Sequence, residues 1–141
     1  MNRCIVLLPA LLLATGCMST YRHPPGAPAA RIAISDAGVA WVCNGDEPRI
    51  LRKGEDGLAV IPAGERISVG INYVASGYNV TYSCFPHVNF VPEVGMVYHQ
   101  DFETEAEACT ALVYRKTDDR RIGLAMEPTL DRQGGDCVYT Q

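Results

Sequence analysis

The chain has 141 residues, 12 of them Lys or Arg and 16 Asp or Glu, which leaves it at a net charge of −4. That length suits one domain, and 48% hydrophobic with 20% charged residues excludes a disordered chain. A mildly acidic balance supplies no basic patch or stripe to meet phosphates, so no nucleic-acid partner is expected. Nine prolines and thirteen glycines cut the sequence into short segments and argue against long helices.

Met1-Asn2-Arg3 carries one positive charge, and Cys4 to Leu13 is an apolar run broken by Pro9. Crossing a bilayer takes about 20 apolar residues in a helix, so this run is too short to span. A charged start, a short apolar core and the small residues Ala14, Thr15 and Gly16 form the pattern of a secretory signal peptide. Because the pattern ends on Cys17, it resembles the lipobox of bacterial lipoproteins, whose cysteine is acylated and becomes the new N-terminus. The family prefers Leu three positions before that cysteine, where this chain has Ala14.

The resemblance covers residues 1–17 and implies that 1–16 are removed and that Cys17 anchors the chain to a membrane. One acyl chain contributes only ~0.8 kcal/mol per buried methylene, and the several chains of a lipoprotein cysteine give stable attachment. In the enterobacterial sorting rule an Asp after the cysteine retains the protein in the inner membrane. Met18 in that position implies the outer membrane, facing the periplasm.

The stretch Met18 to Ala30 is rich in Pro and poor in bulky apolar residues. It is predicted to be an extended, semi-rigid tether over residues 17–30 that holds the following domain, 31–141, off the membrane. Cleavage before Cys17 would remove Cys4, and acylation would consume Cys17. That leaves Cys43, Cys84, Cys109 and Cys137, an even number in a compartment that permits disulfides. No CxxC occurs, so structural staples are expected rather than a redox pair or a zinc site.

From Arg31 onward the apolar residues alternate with a period of two. Arg31 to Ser35 places Ile32 and Ile34 on one face, and Asp36-Ala37-Gly38 turns into Val39 to Cys43. Asn44-Gly45-Asp46 turns again, followed by short strands at Arg49–Lys53 and Leu58–Ile61. The clearest hairpin joins Ile67–Tyr73 to Tyr78–Cys84 through a turn at Ser76-Gly77. After Pro92-Glu93-Val94-Gly95, the residues Met96, Tyr98, Gln100 and Phe102 share the face of one strand. Cys109–Arg115 and Arg121–Met126 form a last antiparallel pair, with room for a helical turn over Ala106–Ala111.

About seven or eight short strands predict an all-β fold, an antiparallel β-sandwich of immunoglobulin-like or transthyretin-like type with two disulfides. If the last pair brings Met126 beside Cys109, the tail returns Cys137 to the same end. The expected bridges are therefore Cys109–Cys137 and Cys43–Cys84.

No constellation carries chemistry. His23, His87 and His99 lack metal-ligand spacing, and no metal site or cofactor is expected. Asp101, Glu103, Glu105 and Glu107 would share one face of an extended segment. That pattern fits a solvated edge that resists strand-to-strand association better than a calcium loop. Asn79-Val80-Thr81 has glycosylation spacing but reads as strand. No GxSxG, HExxH, Walker A or GxGxxG motif occurs, no catalytic residue is nominated, and a non-enzyme is expected.

Val60 to Val69, with Pro62-Ala63-Gly64 at its centre, resembles the strand–turn–strand element of PEGA-like and transthyretin-like envelope lipoproteins. The resemblance implies a lipid-anchored structural or protein-binding module with an envelope protein as partner. The alternative is a periplasmic inhibitor or immunity lipoprotein acting on a cell-wall hydrolase or toxin. The Ser-Gly-x-Arg-Tyr loop of lysozyme-inhibitor lipoproteins is absent, Ser76-Gly77-Tyr78 being the nearest stretch.

Overall fold

The computed structural model describes residues 17–45, 47–105, 108–133 and 137. Among the described residues, ten strands form two sheets packed face to face, an all-β sandwich. The strands are β1 (Ala29–Ala33), β2 (Val39–Cys43), β3 (Arg49–Ile50), β4 (Ala59–Pro62) and β5 (Ile67–Gly77). They continue as β6 (Val80–Cys84), β7 (His87–Phe90), β8 (Val97–Glu105), β9 (Ala108–Lys116) and β10 (Leu124–Met126). One sheet has the order β10-β9-β8-β1-β4 and the other β3-β2-β5-β6, with β7 also on β5.

Alternation places one face of every long strand in the core. Ile32, Ile61, Val69, Val88, Phe90, Tyr98 and Val113 are fully enclosed between the sheets, and the rings of Phe90 and Tyr98 meet edge to face at 5.1 Å. Full burial of such side chains contributes about 1.5–3 kcal/mol each. β1 runs antiparallel to β4 but parallel to β8, so the sheet is mixed rather than purely antiparallel. An N-terminal strand that joins β8 from a distance has no hairpin to dictate its direction.

The predicted hairpin is present with its turn moved two residues. β5 runs on to Gly77, which pairs with Val80, and Tyr78-Asn79 forms the two-residue turn. Asn79 takes φ 57°, a left-handed conformation that its short polar side chain tolerates. The return partner of β5 is longer than expected. β6 and β7 continue one register across Pro86, and the Ile71 N–H donates to the Pro86 carbonyl at 3.1 Å between them. Proline has no N–H of its own to donate there. The helical turn expected up to Ala111 is absent from the described part, since Ala108–Ala111 belong to β9.

The expected disulfides are replaced by Cys43–Cys137 and Cys84–Cys109, with Cα separations of 6.1 and 6.2 Å. Two features of register explain the correction. Cys43 lies opposite Ser68 and Cys84 opposite Tyr73, which point to opposite faces of the same sheet, so these two cysteines cannot meet. Met126 pairs with Tyr114, five residues short of Cys109, so the tail leaves β9 at the end away from Cys109. From there Glu127 N–H donates to the Val113 carbonyl at 3.0 Å, and Asp131 exchanges backbone bonds with Asn89 on β7 at 2.7 and 2.9 Å. The tail thus crosses from one sheet to the other and reaches Cys43.

Residues 18–30 were expected to stand free as a tether, and the structure seats them on the sandwich instead. Ile50 N–H donates to the Ser19 carbonyl and Tyr21 N–H to the Ile50 carbonyl, both at 2.8 Å, which adds a parallel bridge at the β3 edge. His23 Nε2–H donates to the Ala27 carbonyl at 3.0 Å, and the Tyr21 hydroxyl donates to Nδ1 at 3.0 Å. Burial pushes the Tyr21 phenol up, with nearby Arg49 acting the other way. Ala63 N–H closes the segment onto the Pro28 carbonyl at 3.1 Å.

Candidate functional site

The long strand β5 divides the molecule. Its first half is flanked by β2 on one side and β7 on the other. Beyond Asn72, β2 has ended and only β6 pairs with it, so Tyr73–Gly77 and Val80–Cys84 form a two-stranded arm. Gly38 sits where β2 begins. A Cβ there would come within 2.4 Å of the Asn72 carbonyl oxygen, so only glycine lets the two chains approach this closely.

The arm carries apolar groups into solvent. Tyr78 at the tip is 95% exposed, Val80 67% and Val74 58%, and Phe85 at the base is also exposed. Val74, opposite Ser83, and Val80, opposite Gly77, stand on the two faces of the hairpin, so apolar groups are exposed on both of its sides and at its tip. On the inward side, Tyr73 packs against Tyr82 at 6.2 Å and against Phe102 of β8 at 5.2 Å between ring centres. Aromatic pairs of this kind contribute about 0.5–1.5 kcal/mol each.

The Cys84–Cys109 bridge ties this arm to the β8–β9 hairpin, whose strands run on to Glu105 and Ala108. Asp101, Glu103 and Glu105 stand exposed on the outer face of β8, the side opposite to Phe102 and the arm it packs against, and Glu107 lies outside the described residues. None of these carboxylates takes part in an ion pair among the described residues. The Gln100 amide of β8 and the Tyr82 hydroxyl of the arm are buried without a hydrogen-bond partner among the described residues. Each such group costs about 1–3 kcal/mol.

The outer face of the sheet that holds β5 is closed over the first half of that strand. Trp41 lies on the outer face of its sheet, 2% exposed, over Gly70 and against Cys43, Cys137 and Met18. Its indole N–H donates to Asn72 Oδ1 at 3.1 Å, and the His87 ring lies 6.1 Å away. A Cβ on Gly70 would come within 2.3 Å of the indole ring. Ser68 and Asn89 are buried on the same outer face and hydrogen-bond to each other. They sit where the tail crosses, which explains how two polar residues of a surface-facing row become enclosed.

Of the residues singled out from the sequence, Cys17 is an exposed free thiol. His23 is built into the docked N-terminal segment, His87 lies beside Trp41, and His99 is exposed on the outer face of β8. The three therefore do not converge, and among the described residues no three His, Cys, Asp or Glu side chains form a group that could hold a metal ion. Asn79 belongs to the arm's turn rather than to a strand. A groove of about 190 Å³ between the N-terminal segment and β2 is lined by Tyr21, His23, Arg49 and Glu65, and is smaller than the usual ligand pocket of about 300 Å³ or more. No described helix is long and apolar enough to cross a membrane. Comparison with family models, curated proteins and solved structures gives no match for this chain.

Proposed function

We propose that this chain is a lipid-anchored, non-enzymatic protein of the bacterial cell envelope that binds a protein partner through the β5–β6 arm. The observation that carries the reading is the arm itself: a hairpin clamped at its base by a disulfide, which presents Tyr78, Val80 and Val74 to solvent. A pre-ordered element loses little entropy on binding, and an exposed Tyr offers large contact area with few rotatable bonds. The signal-peptide pattern ending on Cys17 supplies the anchor, and the outer membrane facing the periplasm is the location it supports.

A photo-crosslinking residue in place of Tyr78 tests the reading in living cells, with the same residue in place of Leu124 as the control. Adducts specific to position 78 and lost in a Val74→Ser, Val80→Ser double variant support it. Equal or no adducts at both positions overturn it. Labelling with a fatty-acid probe tests the anchor, and a Cys17→Ser protein that labels as well as wild type removes it. The same projecting tip also suits an inhibitor that enters the cleft of a cell-wall hydrolase. That second reading requires a deletion strain to become more sensitive to the hydrolase.

A further inference from the structure

The N-terminal segment is fixed to the sandwich almost from the residue that would bear the lipid. Met18 packs into the cluster of Trp41, Cys43 and Cys137. The next residue, Ser19, already accepts a backbone hydrogen bond from Ile50, and Tyr21 donates one back. Cys17 itself is exposed. Two residues of extended chain reach about 7 Å at most. A free polyproline-like spacer over 18–30 would instead reach about 40 Å at ~3.1 Å per residue.

We infer that the end of the sandwich beside Cys17 and Met18, where β5 begins, is the surface that rests on the lipid headgroups, and that the arm points away from them. The inference rests on acylation of Cys17 and adds an orientation to it. Thr20 bridges in parallel to Ile50, which is level with Trp41 and Gly70, so Cys17 lies toward the Ile67 end of β5, and the arm's tip at Tyr78 is eight residues beyond Gly70. At about 3.3 Å per residue, the tip stands roughly 25 Å beyond that point. Attachment, packed body and recognition element therefore follow one another along the direction of β5. Anchoring by Cys17 then leaves little freedom to tumble, so the arm is presented at a set height above the bilayer.

The test uses the full lipidated protein in vesicles of phosphatidylethanolamine and phosphatidylglycerol that carry an acceptor dye on a headgroup. A donor dye is attached through p-acetylphenylalanine replacing either Arg49, beside the docked segment, or Tyr78, at the tip, so that no thiol is added. A second pair of proteins carries twelve Gly and Ser residues inserted between Cys17 and Met18. Energy transfer from position 49 is expected to exceed that from position 78 several-fold, and the insert is expected to abolish most of that difference. Equal transfer from both positions, or transfer from position 49 unchanged by the insert, overturns the orientation while the anchor stands. Failure of the protein to float with vesicles, together with an unmodified Cys17 peptide by mass, overturns the anchor and the orientation with it.

Discussion

The two halves of β5 share one backbone and one return partner, yet they live in different surroundings. Ile67–Ile71 is buried throughout and lies between β2 and the β6–β7 strand. Val74–Gly77 is paired on one side and is mostly exposed. In the first half, position is dictated by packing, because every neighbour fills space that another residue would have to vacate. In the second, it is dictated by a few discrete devices: one disulfide, a trio of aromatic rings and the turn at Asn79. A body held by burial tolerates few changes, whereas an arm held by clamps leaves its outward side chains free to meet a partner.

This contrast can be tested from its strongest element downward. Removing the Cys43–Cys137 bridge as a double Ala variant opens a 94-residue loop and is expected to cost about 4–5 kcal/mol in urea unfolding. Hydrogen exchange should then rise along the tail and around Trp41 while the arm keeps its protection. Removing Cys84–Cys109, a 25-residue loop, should cost about 3–4 kcal/mol. Here exchange should rise in β6 while the Val69 and Val88 amides stay protected. A uniform loss in both variants would show that arm and body are a single unit.

Gly70→Ala places a methyl group against the indole of Trp41 and should cost about 1–3 kcal/mol, with a change in near-ultraviolet circular dichroism. Gln100→Leu replaces a buried amide that has no partner, and is expected to raise stability by about 1 kcal/mol. A loss of that size would mean that the amide is paired in solution. Tyr78→Ser with Val80→Ser should move stability by no more than about 0.5 kcal/mol while abolishing partner crosslinking. A larger destabilisation would place the tip in the body and remove the contrast.

The sandwich was legible because burial on one face writes an alternation into sequence. Val39–Cys43 was readable to the residue, and so was the shared face of Tyr98, Gln100 and Phe102. The pairings among cysteines were not, because they depend on which way a strand faces and how far its neighbour extends. A three-residue β10 in place of a longer one sends the tail to the other sheet. The docked N-terminal segment was missed for a related reason. Its hydrogen bonds use backbone atoms of Ser19 and Tyr21, which carry no compositional signal, and its prolines read equally well as a free spacer. The arm was half visible: its strands alternate, but their exposure follows from where β2 stops, at a partner far away in the chain.

The connectivity of the four cysteines also bears on how the protein matures. The native bridges are nested, Cys84–Cys109 lying inside the loop closed by Cys43–Cys137. A chain emerging from its N-terminus offers Cys43 and then Cys84 to an oxidant before either true partner has appeared. Oxidation in order of arrival therefore makes a bond that the finished sheet forbids, and reaching the native state requires thiol exchange over seconds to hours. Chains arrested before residue 109 under oxidising conditions should carry a Cys43–Cys84 bond that a shuffling thiol clears. Where bridges form in the order the cysteines arrive, assembly of this small sandwich calls for a thiol that reshuffles bonds as well as an oxidant that makes them.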